Sequence, residues 1–287
     1  MTIAAGFKFD KGALLCADTQ HTYPGAMKLH ASKIISRDLK NKGGGQFVFA
    51  IVGSVPYAHM AVDACIRAIK KKAPKDRTGV GIRLCLEEAI ELFHQSHVYP
   101  HPAFHQAGGP DFQLLIAARS DADKTISLYA TNDSAVTEVD DYDCLGTGSF
   151  LAHYLVPTIF RHKQMNMQDT VNIATHVLQE TKDYVEACGG GSIFIALHDT
   201  GNISPISYWE ISAQELFSRG FKAALQRLYV FAADLRTKPE ALKQELREVE
   251  RRIEILRTAQ RKESDKNEEL YKNLKRIYQD EFTKSIS

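Results

Sequence analysis

The order in which hydrophobic periodicity changes along the chain is what most constrains its fold. Ile3, Ala5, Phe7 and Phe9 alternate with Thr2, Ala4, Gly6 and Lys8. That period of two predicts a strand. Asp10-Lys11-Gly12 is a turn signal and Ala13 to Ala17 a short apolar return, so the first 18 residues read as a β-hairpin. Gln46 to Val52 reads as a buried strand closed by Gly53-Ser54. Two helical stretches follow: Tyr57 to Lys72, with Met60, Ala64, Ile66 and Ile69 toward one side, and Val80 to His94, with Ile82, Leu86, Ala89 and Phe93 likewise. Phe112 to Ala118 and Thr125 to Ala130 are expected to pair, and Tyr142 to Leu145 is a short strand before Gly146-Thr147-Gly148. Helices are expected near Leu151 to His162 and Met167 to Val185. Ser192 to His198 and Pro205 to Trp209 close the pattern as strands. Strands, two helices, strands, two helices, strands: this order predicts sheets covered on the outside by helix pairs, in a layered domain of residues 1–212.

Residues 213–287 read as a helical C-terminal extension, with a coiled-coil hairpin as one form it could take. Leu242, Leu246, Val249, Ile253 and Leu256 step by four and three, a heptad seam flanked by Glu, Arg and Lys. After a polar stretch, Leu270, Leu274, Ile277 and Tyr278 resume a helical stripe. One long helix fits, as does an αα-hairpin turning near Ser264-Asp265-Lys266-Asn267. Pro239 suits a helix start. Such helices either pack on their own domain or make a subunit contact.

Composition then narrows the function. Lys and Arg number 36 against 35 Asp and Glu, for a net charge of +1. A nucleic-acid binder usually carries a basic surplus, so none is expected as a partner. No apolar run approaches the roughly 20 residues that span a bilayer, and the N-terminus lacks the basic and apolar regions of a signal peptide, so no membrane association is expected. Cys16, Cys65, Cys85, Cys144 and Cys188 are scattered and contain no CxxC pair, as in a reduced cytoplasmic protein.

Thr2 directly follows Met1, and its small side chain suits removal of Met1 by an aminopeptidase. The freed α-amine, titrating near about 7.7 to 8.0, can act as general base for its own hydroxyl. Position alone is weak, since a Thr also simply begins strands. The residues that follow change the balance. Gly6 lies four residues on, Ala17-Asp18-Thr19 closes the second strand, Ala31-Ser32-Lys33-Ile34 lies on a third, and Val52-Gly53-Ser54-Val55-Pro56-Tyr57-Ala58 ends a fourth. With Gly146-Thr147-Gly148 before a helix, this ordered set resembles the proteasome β-subunit family of N-terminal nucleophile hydrolases, over roughly residues 2 to 212.

The resemblance implies an α+β fold, an α/β/β/α four-layer sandwich with antiparallel sheets. It implies a threonine-type peptidase in a self-assembling ring or spiral, acting on peptides or unfolded proteins, with an ATP-dependent unfoldase as a possible partner and no cofactor or metal. Thr2 Oγ1 would attack the peptide carbonyl. Lys33, as ammonium, would lower the pKa of the Thr2 groups, and Asp18 would orient and neutralise Lys33. The backbone N–H of Gly53 would hold the oxyanion, a donor type worth roughly 3 to 4 kcal/mol. Thr147 stands where the family has a Ser bonded to the terminal amine. Ile51 and Val55 match positions lining the substrate side-chain pocket, with His21 nearby.

There are departures. The Asp18 to Lys33 spacing is one residue short of the family's. The family's second corner, an Asp followed three residues later by Ser and then Gly, is not clean. Asp183 is the candidate there, with Cys188 second. Two rivals stand beside the peptidase: an amidohydrolase on small amides using the same nucleophile, and an inactive scaffold that keeps Met1. His94, His97, His101 and His105 are read as an irregular loop rather than metal ligands. Gly189-Gly190-Gly191 leads into a strand and is read as a close backbone approach, not a phosphate loop. Lys70-Lys71-Lys72 is read as a cationic helix end.

Overall fold

A computed structural model describes residues 2–22, 28–39, 44–104, 109–160, 165–234 and 236–284. The side chains of residues 21–22, 28–29, 259–260, 263–264 and 266–284 lie outside that description. The chain divides into two compact units, residues 1–206 and 207–287.

In the first unit, strands β1 (Ala4–Phe9) and β2 (Gly12–Asp18) form the expected hairpin, with Ala4 opposite Ala17. A short ribbon follows, β3 (Gln20–Thr22) with β4 (Lys28–His30). Strands β5 (Ile34–Asp38), β6 (Gln46–Gly53), β7 (Phe112–Arg119), β8 (Ile126–Asn132) and β9 (Ala135–Val139) make a five-stranded antiparallel sheet in chain order. The hairpin belongs to a second five-stranded antiparallel sheet. It is completed by β10 (Tyr142–Leu145), β11 (Ser192–His198) and β12 (Ile203–Pro205), in the order β10-β1-β2-β11-β12.

The two sheets face each other through small and branched side chains, among them Ala4, Ala13 and Leu15 against Val48, Ala50 and Leu128. Gly6 marks how close they come, because a Cβ there would lie 2.9 Å from Leu15 and 3.0 Å from Leu128. Helices α1 (Val55–Lys71) and α2 (Gly79–Phe93) cover the outer face of the β5–β9 sheet, burying Val62, Ile66, Leu86 and Ile90 against Phe49 and Ile116. Helices α3 (Ser149–Ile159) and α4 (Met167–Tyr184) lie on the hairpin's sheet. The result is the α/β/β/α sandwich that the resemblance implies, with helix pairs outside the sheets as the order of periods predicts. Two helix starts are capped by side chains, Thr78 accepting from Gly81 and Asn166 from Asp169.

The structure corrects several local expectations. Met60 fits the helical period yet is 46% exposed, because α1 buries the neighbouring Ala61–Val62–Cys65 face. Ala31-Ser32-Lys33 precedes β5 rather than lying on a strand. The last strand stops at Pro205. Trp209 is helical, because Ser207 caps a long helix α5 (Tyr208–Ala233) by accepting from the Glu210 N–H.

In the second unit, α5 packs on a 46-residue helix α6 (Pro239–Lys284). Helix α5 ends at Ala233 and α6 begins at Pro239. The helix runs through Ser264–Asn267, where a turn was one of two expectations. Of the seam residues Val249 is buried and Leu246 is 47% exposed, while Glu245, beside the seam, is buried. Gly220 gives Leu256 room, since a Cβ at Gly220 would meet it at 2.7 Å.

Candidate active site

Three strand ends build the site. Thr2 leads into β1, Asp18 ends β2 and Lys33 leads into β5. The hairpin register places Thr2 beside Asp18, and Asp18 N–H donates to Ile3 O at 3.2 Å. Lys33 is drawn in by its carbonyl, which accepts from Ile51 N–H at 2.8 Å. All three side chains leave water: Thr2 and Lys33 are 2% exposed and Asp18 is fully buried.

Burying an ion pair is costly unless hydrogen bonds complete it, and here they do. Lys33 Nζ donates to Asp18 Oδ1 at 2.6 Å, to Gln20 O at 2.5 Å, and to Thr2 Oγ1. The Thr2 hydroxyl donates in turn to Asp18 Oδ1. Ile3 N–H reaches the same oxygen at 3.2 Å, and Gly189 N–H reaches Oδ2 at 3.0 Å. Burial pushes the Lys33 pKa below that of an ordinary lysine, against the opposing pull of Asp18. Its ammonium is therefore poised to release a proton more readily than a surface lysine. The alcohol lies between an acid and a base in a dry pocket, an arrangement suited to activating a hydroxyl.

Gly53 ends β6, two residues past the Ile51–Lys33 bridge, with φ of 84°. This conformation favours glycine, and a Cβ would collide with Asp111 O and lie 2.9 Å from Phe112 Cα. The Gly146–Gly148 turn closes over Thr2, as Gly148 N–H donates to Thr2 O at 3.2 Å. At Gly146, φ is 94° and a Cβ would lie 2.5 Å from that same carbonyl.

Other predicted residues are not brought to this cluster. Thr147 is exposed, and its hydroxyl makes no hydrogen bond among the described residues. Asp183 is exposed on α4 and accepts from Gln179 Nε2 at 2.6 Å, one turn back. Ile51 is 2% exposed and part of the core under α1, so its side chain does not face an open pocket here. Val55 is half-buried against the same core. The His21 side chain, Met1 and His105 lie outside the described residues. Among those described, no group of three or more His, Cys, Asp or Glu is arranged to hold a metal ion.

Cys188, the second candidate, does reach the site. It is buried, and a Cβ on Gly148 would lie 2.9 Å from its sulfur. Burial pushes its thiol up to about 12, with the Asp18 charge adding to the effect, so it is held as a thiol and not as a rival nucleophile. Three residues before Cys188 stands Val185, buried, where the family pattern has a carboxylate. Counting back from Cys188-Gly189, rather than forward from Asp183, would put the carboxylate position of that pattern at Val185. Gly189, Gly190 and Gln20 carry no motif. Gly189 O accepts from Gln20 N–H at 3.1 Å, and Gly190 has φ of 74° with His30 and Thr19 within 2.6 Å of a Cβ position. The triple glycine is thus the close approach expected, and it carries the Gly189 amide to Asp18.

No family model and no curated protein matches the chain. Solved structures do. The Anbu Gly-1 mutant from Hyphomicrobium sp. strain MC1 aligns with a TM-score of 0.64 at 12% identity, over 80% of this chain and 97% of that one. Anbu, described as an ancestral β-subunit, from Yersinia bercovieri gives 0.64 at 10%, over 79% and 97%. The helical assembly of the Anbu complex from Pseudomonas aeruginosa gives 0.63 at 10%, over 78% and 96%. At such identities the likeness establishes the fold: an antiparallel α+β sandwich of the proteasome-like, Anbu type.

Proposed function

We propose that this chain is a subunit of a proteasome-like particle that hydrolyses peptide bonds with Thr2 as its nucleophile. One observation carries the reading: the Thr2 hydroxyl is hydrogen-bonded to both members of a buried Asp18–Lys33 pair. In this reading Met1 is removed, and the freed amine takes the hydroxyl proton as Oγ1 adds to the substrate carbonyl. Lys33 stabilises the developing alkoxide and Asp18 holds Lys33. The Gly53 N–H receives the oxyanion. The amine then passes its proton to the leaving amine of the peptide, an ester to Thr2 remains, and water hydrolyses it. Self-assembly is supported by the helical complex formed by the Pseudomonas aeruginosa Anbu.

A second reading, a non-catalytic scaffold that keeps Met1, is favoured by the apolar Val185 in place of a carboxylate and by the exposure of Thr147. One experiment separates them: intact mass with N-terminal mapping after exposure to a peptide epoxyketone, for wild type and Thr2→Ala. Such a probe reacts with both the hydroxyl and the free amine of an N-terminal threonine. A chain beginning at Thr2 that gains the probe mass, with no gain in Thr2→Ala, supports the peptidase. A chain that retains Met1 and gains nothing sinks it and selects the scaffold.

A further inference from the structure

His94 is 2% exposed, and neither of its ring nitrogens has a hydrogen-bond partner among the described residues. It opens a π-helical turn, His94–Val98, at the end of α2. Buried polar atoms normally find partners, and leaving them without is costly. A π-turn inside a helix is likewise uncommon and often tied to function. The ring lies against Phe112, with centroids 5.1 Å apart and planes 33° apart, and Phe93 meets the same ring edge-on at 5.6 Å. Phe112 is 1% exposed and pairs with Gly53 across the β6–β7 ladder. The preceding carbonyl, Asp111 O, accepts from Ser54 N–H at 2.7 Å. The backbone that supports the Gly53 turn is therefore clamped from behind by His94 and Phe93.

We propose that His94 is a positioning residue for the Gly53 turn, and that it holds the turn only as the neutral imidazole. The proposal rests on the reading of Gly53 as the oxyanion turn. Protonation would give His94 two donors and a charge in a slot where neither ring nitrogen has a partner among the described residues, so proton uptake favours the ring leaving Phe112. The charged or titratable groups facing it are few. They are Asp111 at the start of β7, Asp133 in the β8–β9 turn, and Tyr99 on its own segment, 5.5 Å away ring to ring. Both carboxylates favour the cation, yet burial outweighs them and moves the His94 pKa below 6.5. The folded chain therefore resists a proton that the unfolded chain accepts, and the clamp weakens as pH falls below that value.

Amide hydrogen exchange on the full chain tests this, reading residues 52–58 in wild type and His94→Phe. Phenylalanine keeps a neutral ring in the slot and removes the titration. Between about pH 7.5 and about pH 5.5, after correction for intrinsic exchange, wild-type protection at 52–58 is expected to fall about tenfold more than in α4. In His94→Phe that excess is expected to vanish. Should the phenylalanine variant not fold, His94→Leu serves, and the wild-type contrast between 52–58 and α4 stands by itself. Equal losses at the turn and in α4, or the same excess loss in His94→Phe, would overturn the proposal. Exchange reads the turn whether or not Thr2 reacts, so failure of epoxyketone labelling with the excess intact rejects the peptidase and leaves the clamp.

Discussion

Each unit of the chain holds an ion pair with a buried acid, and the two pairs are built differently. In the sandwich, Lys33 and Asp18 meet at 2.6 Å with exposures of 2% and 0%. In the helical hairpin, Arg227 and Glu245 also meet at 2.6 Å, but the arginine side chain is 49% exposed. Asp18 gathers donors from four residues, including an alcohol and two backbone amides, and the Lys33 ammonium is destabilised by burial. Glu245 takes only Arg227 among the described residues, with Nη2 donating to Oε2 at 3.0 Å. A pair that converges on a hydroxyl away from water suits the proposed chemistry. A pair whose base stays half in water joins two helices.

The largest expected effects follow from that contrast. Lys33→Met and Asp18→Asn each leave one partner of a buried pair unmatched, so each is expected to lose about 3–5 kcal/mol of stability. Arg227→Met removes the half-exposed member of its pair, which water already partly solvates, and is expected to lose about 1–2 kcal/mol. Urea denaturation of the three variants measures this, and a loss for Arg227→Met equal to that for Lys33→Met breaks the comparison.

Gly53→Ala comes next. Its Cβ meets Asp111 O at a φ that L-residues rarely adopt, so a loss of about 1–3 kcal/mol is expected, together with slower probe labelling. Labelling at the wild-type rate would remove Gly53 from the mechanism.

A pH effect sharpens the contrast further. Between the lowered Lys33 pKa and the ordinary 10.5, the unfolded chain keeps a proton that the folded chain has released. Stability from this group therefore rises with pH across that window, by at most about 1.4 kcal/mol per pH unit for one proton. The penalty for burying the ammonium is present in full below it. Urea midpoints measured through this range should show the rise in wild type and not in Lys33→Met.

The smallest effects are expected at Thr147→Ala and Asp183→Asn, both exposed: about 0.5 kcal/mol or less, with labelling unchanged. A loss of labelling in either would restore that residue to the site.

The layers were legible because the period of two and the 3.6-residue period each repeat over whole elements. Strand β9 was missed because Ala135–Val139 is five residues long and mostly faces solvent. Met60 and Leu246 satisfy a helical period yet lie outside the buried stripe, since period alone does not fix which neighbouring face turns inward. Residues 213–287 were expected to be helical, but the start of α5 at Tyr208 and its end at Ala233 were not foreseen, because its aromatic residues, among them Trp209 and Tyr229, give no clean stripe and many stay exposed.

Within the candidate site, Thr2, Asp18 and Lys33 were legible through the ordered set of segments that resembles the proteasome β-subunit family, and in the structure each sits at a strand end. The position of Asp183 was not, because the segment between α4 and β11 is irregular, and spacing through irregular chain does not determine direction in space.

By itself, then, the sequence determined the order of strands and helices and the residue types at three strand ends, since both are local and periodic. Only the tertiary structure decided that Cys188, Gly189 and the Gly146–Gly148 turn close around Thr2, and that His94 is buried behind Gly53. These contacts join segments up to 171 residues apart. They arise because two sheets and their helix layers pack against each other, which no local pattern records.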